Sequence, residues 1–130
     1  MDFGPFNPSL DSTIKAKIYK NKISMEEDSF AGIYGFWVNN VQVIQNKLMG
    51  AGNAGICIGI DDWPGFWAPC TKWFILVNDM SNFQAYTAPI WLGPGSSNCF
   101  VICRNTTENV LDEGTDNTII TLPMHPWLYH

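Results

Sequence analysis

The sequence predicts an all-β domain, a mostly antiparallel sandwich or barrel of about eight short strands. Three observations predict it. Apolar residues alternate in short runs, clusters of Gly, Pro, Asn and Asp separate those runs, and no long stretch keeps helical spacing. The alternative is an α/β layered sandwich with helices near 22–30 and 39–49. At 130 residues the chain fits a single domain spanning 1–130, undivided by a linker or a fixed-period repeat.

Gly4, Pro5 and Pro8 make 1–12 an irregular arm, anchored by Phe3 and Phe6. Ile14, Ala16 and Ile18 alternate with Thr13, Lys15, Lys17 and Tyr19, the period of a half-buried strand. Lys15, Lys17, Lys20 and Lys22 read as the solvated face of an edge strand, where lysines discourage unwanted pairing. Residues 30–38 and 41–44 read as strands flanking Asn39-Asn40, a hairpin signal, although Val41, Ile44 and Leu48 also stand at helical spacing. The glycine-rich stretch 50–55 reads as a flexible turn. A phosphate loop needs a following lysine and helix, and Ile56, Ile58 and Ile60 stand there instead.

Pro64, Gly65 and Pro69 keep 61–70 irregular. Trp73–Val77 and Phe83–Thr87 read as a second hairpin around the loop 78–82. A strand over 98–104, a polar loop over 105–118 and a short strand at Ile119, Ile120 and Leu122 complete the body. Pro123 and Pro126 hold the C-terminal tail, 123–130, extended.

The net charge of -5 disfavours nucleic acid as a partner, because an acidic surface repels phosphate backbones. No run of 18 apolar residues occurs, so no transmembrane segment is expected. Met1 to Pro5 lack a basic and apolar leader, so no signal peptide is visible. Localisation stays open, extracellular if the cysteines are bridged. Cys57, Cys70, Cys99 and Cys103 are disulfide candidates. On a strand, Cys99 and Cys103 share a face but stand about 13 Å apart, too far to bond each other. Each would then pair with Cys57 or Cys70; four reduced, buried thiols are the alternative.

The aromatic content of 14% is the feature that points to function. Phe30, Tyr34, Phe36, Trp37, Trp73, Phe74, Phe83 and Phe100 lie in expected strands and need only a core. Trp63, Phe66 and Trp67 lie among prolines and glycines beside Asp61 and Asp62. Rings exposed together in a loop form an apolar patch, and such patches mark contact sites. Sugar C–H faces stack on indoles while carboxylates and amides bond hydroxyls. The expected ligand-binding residues are therefore Asp61, Asp62, Trp63, Phe66, Trp67, Asn78, Asp79 and Trp91, with a glycan or glycoconjugate as partner.

Two other classes compete with this lectin-like reading. Rim aromatics also suit a membrane-lipid-binding or pore-forming module. Phe3, Phe6, Trp127 and Tyr129 on the terminal arms suit a structural or coat subunit, a homo-oligomer that exchanges those arms. No enzyme is expected: the chain has no Gly-x-Ser-x-Gly and no His-Glu-x-x-His, and His125 and His130 both stand in the tail. No cofactor or metal is expected either. Asp112, Glu113, Asp116 and Asn117 offer oxygens to calcium, but at a spacing unlike the helix-loop-helix pattern.

Overall fold

The computed structural model describes residues 15–60, 69–104 and 109–122. The arm 1–12, the segment holding Asp61, Asp62, Trp63, Phe66 and Trp67, and the tail 123–130 lie outside the described residues. Eleven strands are described: β1 (Ala16–Tyr19), β2 (Lys22–Gly35), β3 (Val41–Ile44), β4 (Lys47–Ile58), β5 (Cys70–Thr71), β6 (Phe74–Leu76), β7 (Asp79–Leu92), β8 (Ser96–Ser97), β9 (Phe100–Arg104), β10 (Val110–Asp112) and β11 (Thr118–Leu122).

Every pairing among them is parallel. Sheet A has the order β1-β3-β6-β9-β11, sheet B the order β10-β7-β4-β2, and β5 pairs with β8 in a third, small sheet. The chain visits sheet A, then sheet B, then returns to sheet A one strand further on. It is therefore a solenoid of stacked coils, a parallel β-helix.

This overturns the antiparallel sandwich or barrel. Alternation along a strand reports which residues face inward and is silent on the direction of the neighbouring strand. The Asn39-Asn40 turn does not close a hairpin: it hands the chain from β2 in sheet B to β3 in sheet A. Likewise β6 and β7 belong to different sheets, so 73–87 is no hairpin. The α/β alternative accommodates parallel pairing but fails in its helices. The described residues contain no helix, and 22–30 lies in β2 while 47–49 begins β4.

The core follows from stacking like on like. In sheet A, Ile18, Val43, Ile75, Val101 and Ile119 are register partners in turn. In sheet B, Ile33, Ile56, Ile90 and Val110 form a second ladder. The central members of both are buried, and each contributes about 1.5–3 kcal/mol relative to exposure. Trp73 also lies inside, its Nε1–H donating to the Val38 carbonyl at 2.7 Å, its ring packed where a side chain at Gly35 would otherwise stand.

Polar ladders fix the corners. Between sheets A and B the chain turns at Lys20-Asn21, Gln45-Asn46 and Val77-Asn78, with the first residue of each pair at positive φ. The three asparagines stack. Asn46 Oδ1 accepts from the Asn21 backbone N–H at 2.9 Å and from Asn21 Nδ2 at 3.1 Å. Asn46 in turn donates its backbone N–H and Nδ2 to Asn78 Oδ1, at 2.9 and 3.0 Å. Before sheet A, a second column of positive-φ residues recurs at Asn40, Lys72, Asn98 and Asp116.

Candidate functional site

Tyr34, Cys57 and Trp91 are register partners on adjacent strands. Their chain neighbours Ile33, Ile56 and Ile90 face the core, so strand alternation turns the Tyr34–Cys57–Trp91 row to the outside of sheet B. Phe30 and Phe36 on and beside β2 share that face with Tyr34. The Phe30 ring packs edge-on against Tyr34, with centroids 5.1 Å apart at 79°, and lies 6.2 Å from Trp91. Phe36 stands 5.3 Å from Tyr34. These four rings form one patch over Cys57, which is fully buried, while Phe36 is 44% exposed.

Two hydrogen bonds set the edges of the patch. Trp91 Nε1–H donates to Glu113 Oε1 at 2.7 Å, placing a carboxylate beside the indole. The Tyr34 hydroxyl donates to the Ile60 carbonyl. Ile60 is thus held at the edge of the ring cluster, and in the sequence it immediately precedes Asp61, Asp62, Trp63, Phe66 and Trp67.

Of the other expected site residues, Trp91 is in the patch, whereas Asn78 and Asp79 stand at the opposite end of β7. Asn78 is buried in the corner ladder, its Nδ2 donating to the Val43 carbonyl at 3.0 Å. Asp79 Oδ1 accepts from the Ser81 backbone N–H at 3.0 Å and the Ser81 hydroxyl at 2.7 Å, a local turn. It lines a shallow depression of about 400 Å³ with Lys20, Gln45 and Lys47.

Sequence reasoning placed Phe30, Tyr34 and Phe36 in the core; the structure puts them outside. The signal was their shared parity, with Ala31, Ile33 and Gly35 alternating between them on the inward side. Phe74 and Phe100 are a further outward pair, on sheet A, with centroids 6.3 Å apart. Among the described aromatic residues only Trp73 is buried.

The 112–117 loop is held together by its own polar groups. Asp112 Oδ1 accepts from Gly114 N–H at 3.0 Å and from Asn117 Nδ2 at 2.9 Å. Asn117 Oδ1 accepts from the Cys99 N–H at 2.9 Å. Among the described residues no three His, Cys, Asp or Glu side chains converge as metal ligands, and none belongs to a helix long and apolar enough to cross a membrane.

The disulfide expectation is also overturned: Cys57, Cys70, Cys99 and Cys103 are buried thiols, and none is bridged to another. Their thiols are turned toward other groups. Cys70 Sγ donates to the Gly35 carbonyl and Cys99 Sγ to the Ser97 carbonyl, each at 3.4 Å. Cys103 Sγ lies 3.5 Å from the Thr121 hydroxyl. Cys57 sits under the rings on the outer side of sheet B, away from the core that holds the others.

Burial raises the pKa of Cys70, and burial together with the nearby Cys70 and Asp112 raises that of Cys99, from 9.0 to about 11. A thiol whose folded pKa is raised contributes stability that is complete below its open-chain pKa and is lost as pH rises toward the folded value. The urea midpoint is therefore expected to hold to pH 9.0 and to fall between there and about pH 11. Cys99→Ala should flatten that slope. A midpoint independent of pH over the same window would refute it.

Comparison with protein-family models, curated proteins and solved structures returns no match for this chain.

Proposed function

We propose that the protein is a non-enzymatic carbohydrate-binding module that receives a glycan on the outer face of sheet B. The observation that carries this reading is the patch of Phe30, Tyr34, Phe36 and Trp91, four partly solvated rings held on a rigid parallel sheet. Rings fixed by strands lose little freedom on binding, which favours a shallow site. Sugar C–H faces stack on Trp91 and Tyr34. Glu113, already oriented by the indole N–H, accepts from ring hydroxyls. The acidic balance of the chain favours neutral or cationic glycans over sulfated or sialylated ones.

Glycan-array screening followed by tryptophan-fluorescence titration tests this. Loss of one stacking ring is worth about 0.5–1.5 kcal/mol, so Trp91→Ala should weaken binding roughly two- to thirteenfold. Phe74→Ala, which removes an exposed ring from sheet A, should leave it unchanged. An array without a hit, or equal affinity in Trp91→Ala, would sink the reading.

A further inference from the structure

The two ends of the solenoid differ in charge and agree in register. At one end, Lys15, Lys17, Lys20 and Lys22 lie exposed on and beside β1. At the other, Asp112, Glu113 and Asp116 are exposed, and no positive residue stands among 109–122. β1 and β11 are the two outer strands of sheet A, so each presents one edge that no described strand pairs. We infer that these edges bind each other, so that copies of the chain stack head to tail with β11 of one copy against β1 of the next.

Each column of the fold supports that register. Extending the strand pairings back one or two residues aligns Lys15 with Asn40, Lys72, Asn98 and Asp116, the corner column. One further step at the ordinary strand spacing, about 4.8 Å, sets Asp116 against Lys15 of the next copy. The same step sets Ile119, 37% exposed, against Ile18, continuing the core ladder across the junction. It also sets Ile120, 40% exposed, against Tyr19, at 43%.

The backbone agrees. Ala16 N–H donates toward β3 and Thr118 N–H toward β9. Alternate residues of a parallel strand bond on opposite sides, so Lys17 and Tyr19, and Ile119 and Thr121, direct their peptide groups to the open edges. In this register Ile119 lies opposite Ile18, where its peptide group meets those of Lys17 and Tyr19. A slip of one residue would break that match.

Sheet B has four strands to the five of sheet A, so a stack leaves one strand position beside β10. The chain continues for residues 123–130 beyond β11. The acidic run Glu26-Glu27-Asp28 lies on β2 and so faces that position rather than β11. A contact between unlike ends that advances each copy along the stacking direction of the coils does not close on itself, so its product is an open filament.

Sedimentation and electron microscopy of the full chain across concentration test the inference. Assemblies growing with concentration are expected. Lys15→Glu and Asp116→Lys, both at exposed positions, should each weaken assembly severalfold, and the double variant, with the charges exchanged, should recover it. Ile119→Arg should abolish it while circular dichroism keeps the strand signal. A chain monomeric at every concentration, its ends covered by its own terminal segments, would overturn the inference. So would assemblies indifferent to all three single substitutions, which would place the contact elsewhere.

Discussion

Asn46→Ala is expected to destabilise the fold by about 3–5 kcal/mol, at about 1–3 kcal/mol for each buried polar group left unsatisfied. The Asn46 side chain is almost fully buried and works in both directions along the stack. Its Oδ1 accepts two bonds from Asn21, and its Nδ2 donates to the Ile18 carbonyl at 2.9 Å and to Asn78 Oδ1. Truncation strands the Asn21 backbone N–H and takes one donor each from Asn78 Oδ1 and from the Ile18 carbonyl, which keeps its ladder partner on β3. Asn21→Ala, at the exposed end of the same ladder, should cost only about 1 kcal/mol, a typical net hydrogen bond. Urea denaturation of the two variants checks the difference. Equal costs would mean that the ladder does not act as a stack.

Gly50→Ala is expected to be as damaging, although it adds one methyl group. Gly50 has φ +100°, outside the range that side-chain-bearing residues adopt, and a Cβ there would lie 2.0 Å from the Met25 carbonyl oxygen on β2. The obstacle is backbone and cannot rotate away. Met25, Gly50 and Phe83 are register partners at the point where the β2–β4 pairing shifts, so relief would require parting two strands of sheet B. We expect a loss of at least about 3 kcal/mol, combining left-handed strain with overpacking. Thermal unfolding by circular dichroism would show it as a midpoint lower by more than about 10 °C or as failure to accumulate folded protein. A variant within a few degrees of the parent would show that β2 is free to move there.

The strand content was legible because Ile14–Tyr19 and 98–104 alternate or run apolar in a way that only strands explain. The parallel arrangement was not. Coil length hides it: Gln42 follows its partner Lys17 by 25 residues, Phe74 follows Gln42 by 32, Phe100 follows Phe74 by 26, and Thr118 follows Phe100 by 18. No fixed-period search detects such a repeat. A short recurrence was present all the same. Tyr19-Lys20-Asn21-Lys22-Ile23, Ile44-Gln45-Asn46-Lys47-Leu48 and Leu76-Val77-Asn78-Asp79-Met80 share an apolar residue, any residue, Asn, a charge and an apolar residue. The residue before each Asn is Lys, Gln or Val, none of which announces a positive φ, and Val resists it. Trp91 stands out among its prolines and glycines, but its partners Phe30, Tyr34 and Phe36 lie in a strand-like run that reads as core. Their shared parity separates them from Ala31, Ile33 and Gly35, but parity alone does not say which of the two faces turns outward.

The unequal coil lengths have an evolutionary consequence. Each coil touches chiefly the one above and the one below, through short strands whose register does not depend on how much chain joins them. Connections can therefore be lengthened, shortened or exchanged singly while the asparagine column and the aliphatic ladders keep their spacing. Ile60, whose carbonyl accepts the Tyr34 hydroxyl, opens one such connection, and its length can change while β4 and β7 keep their register. New recognition can be acquired one insertion at a time at nearly constant folding cost.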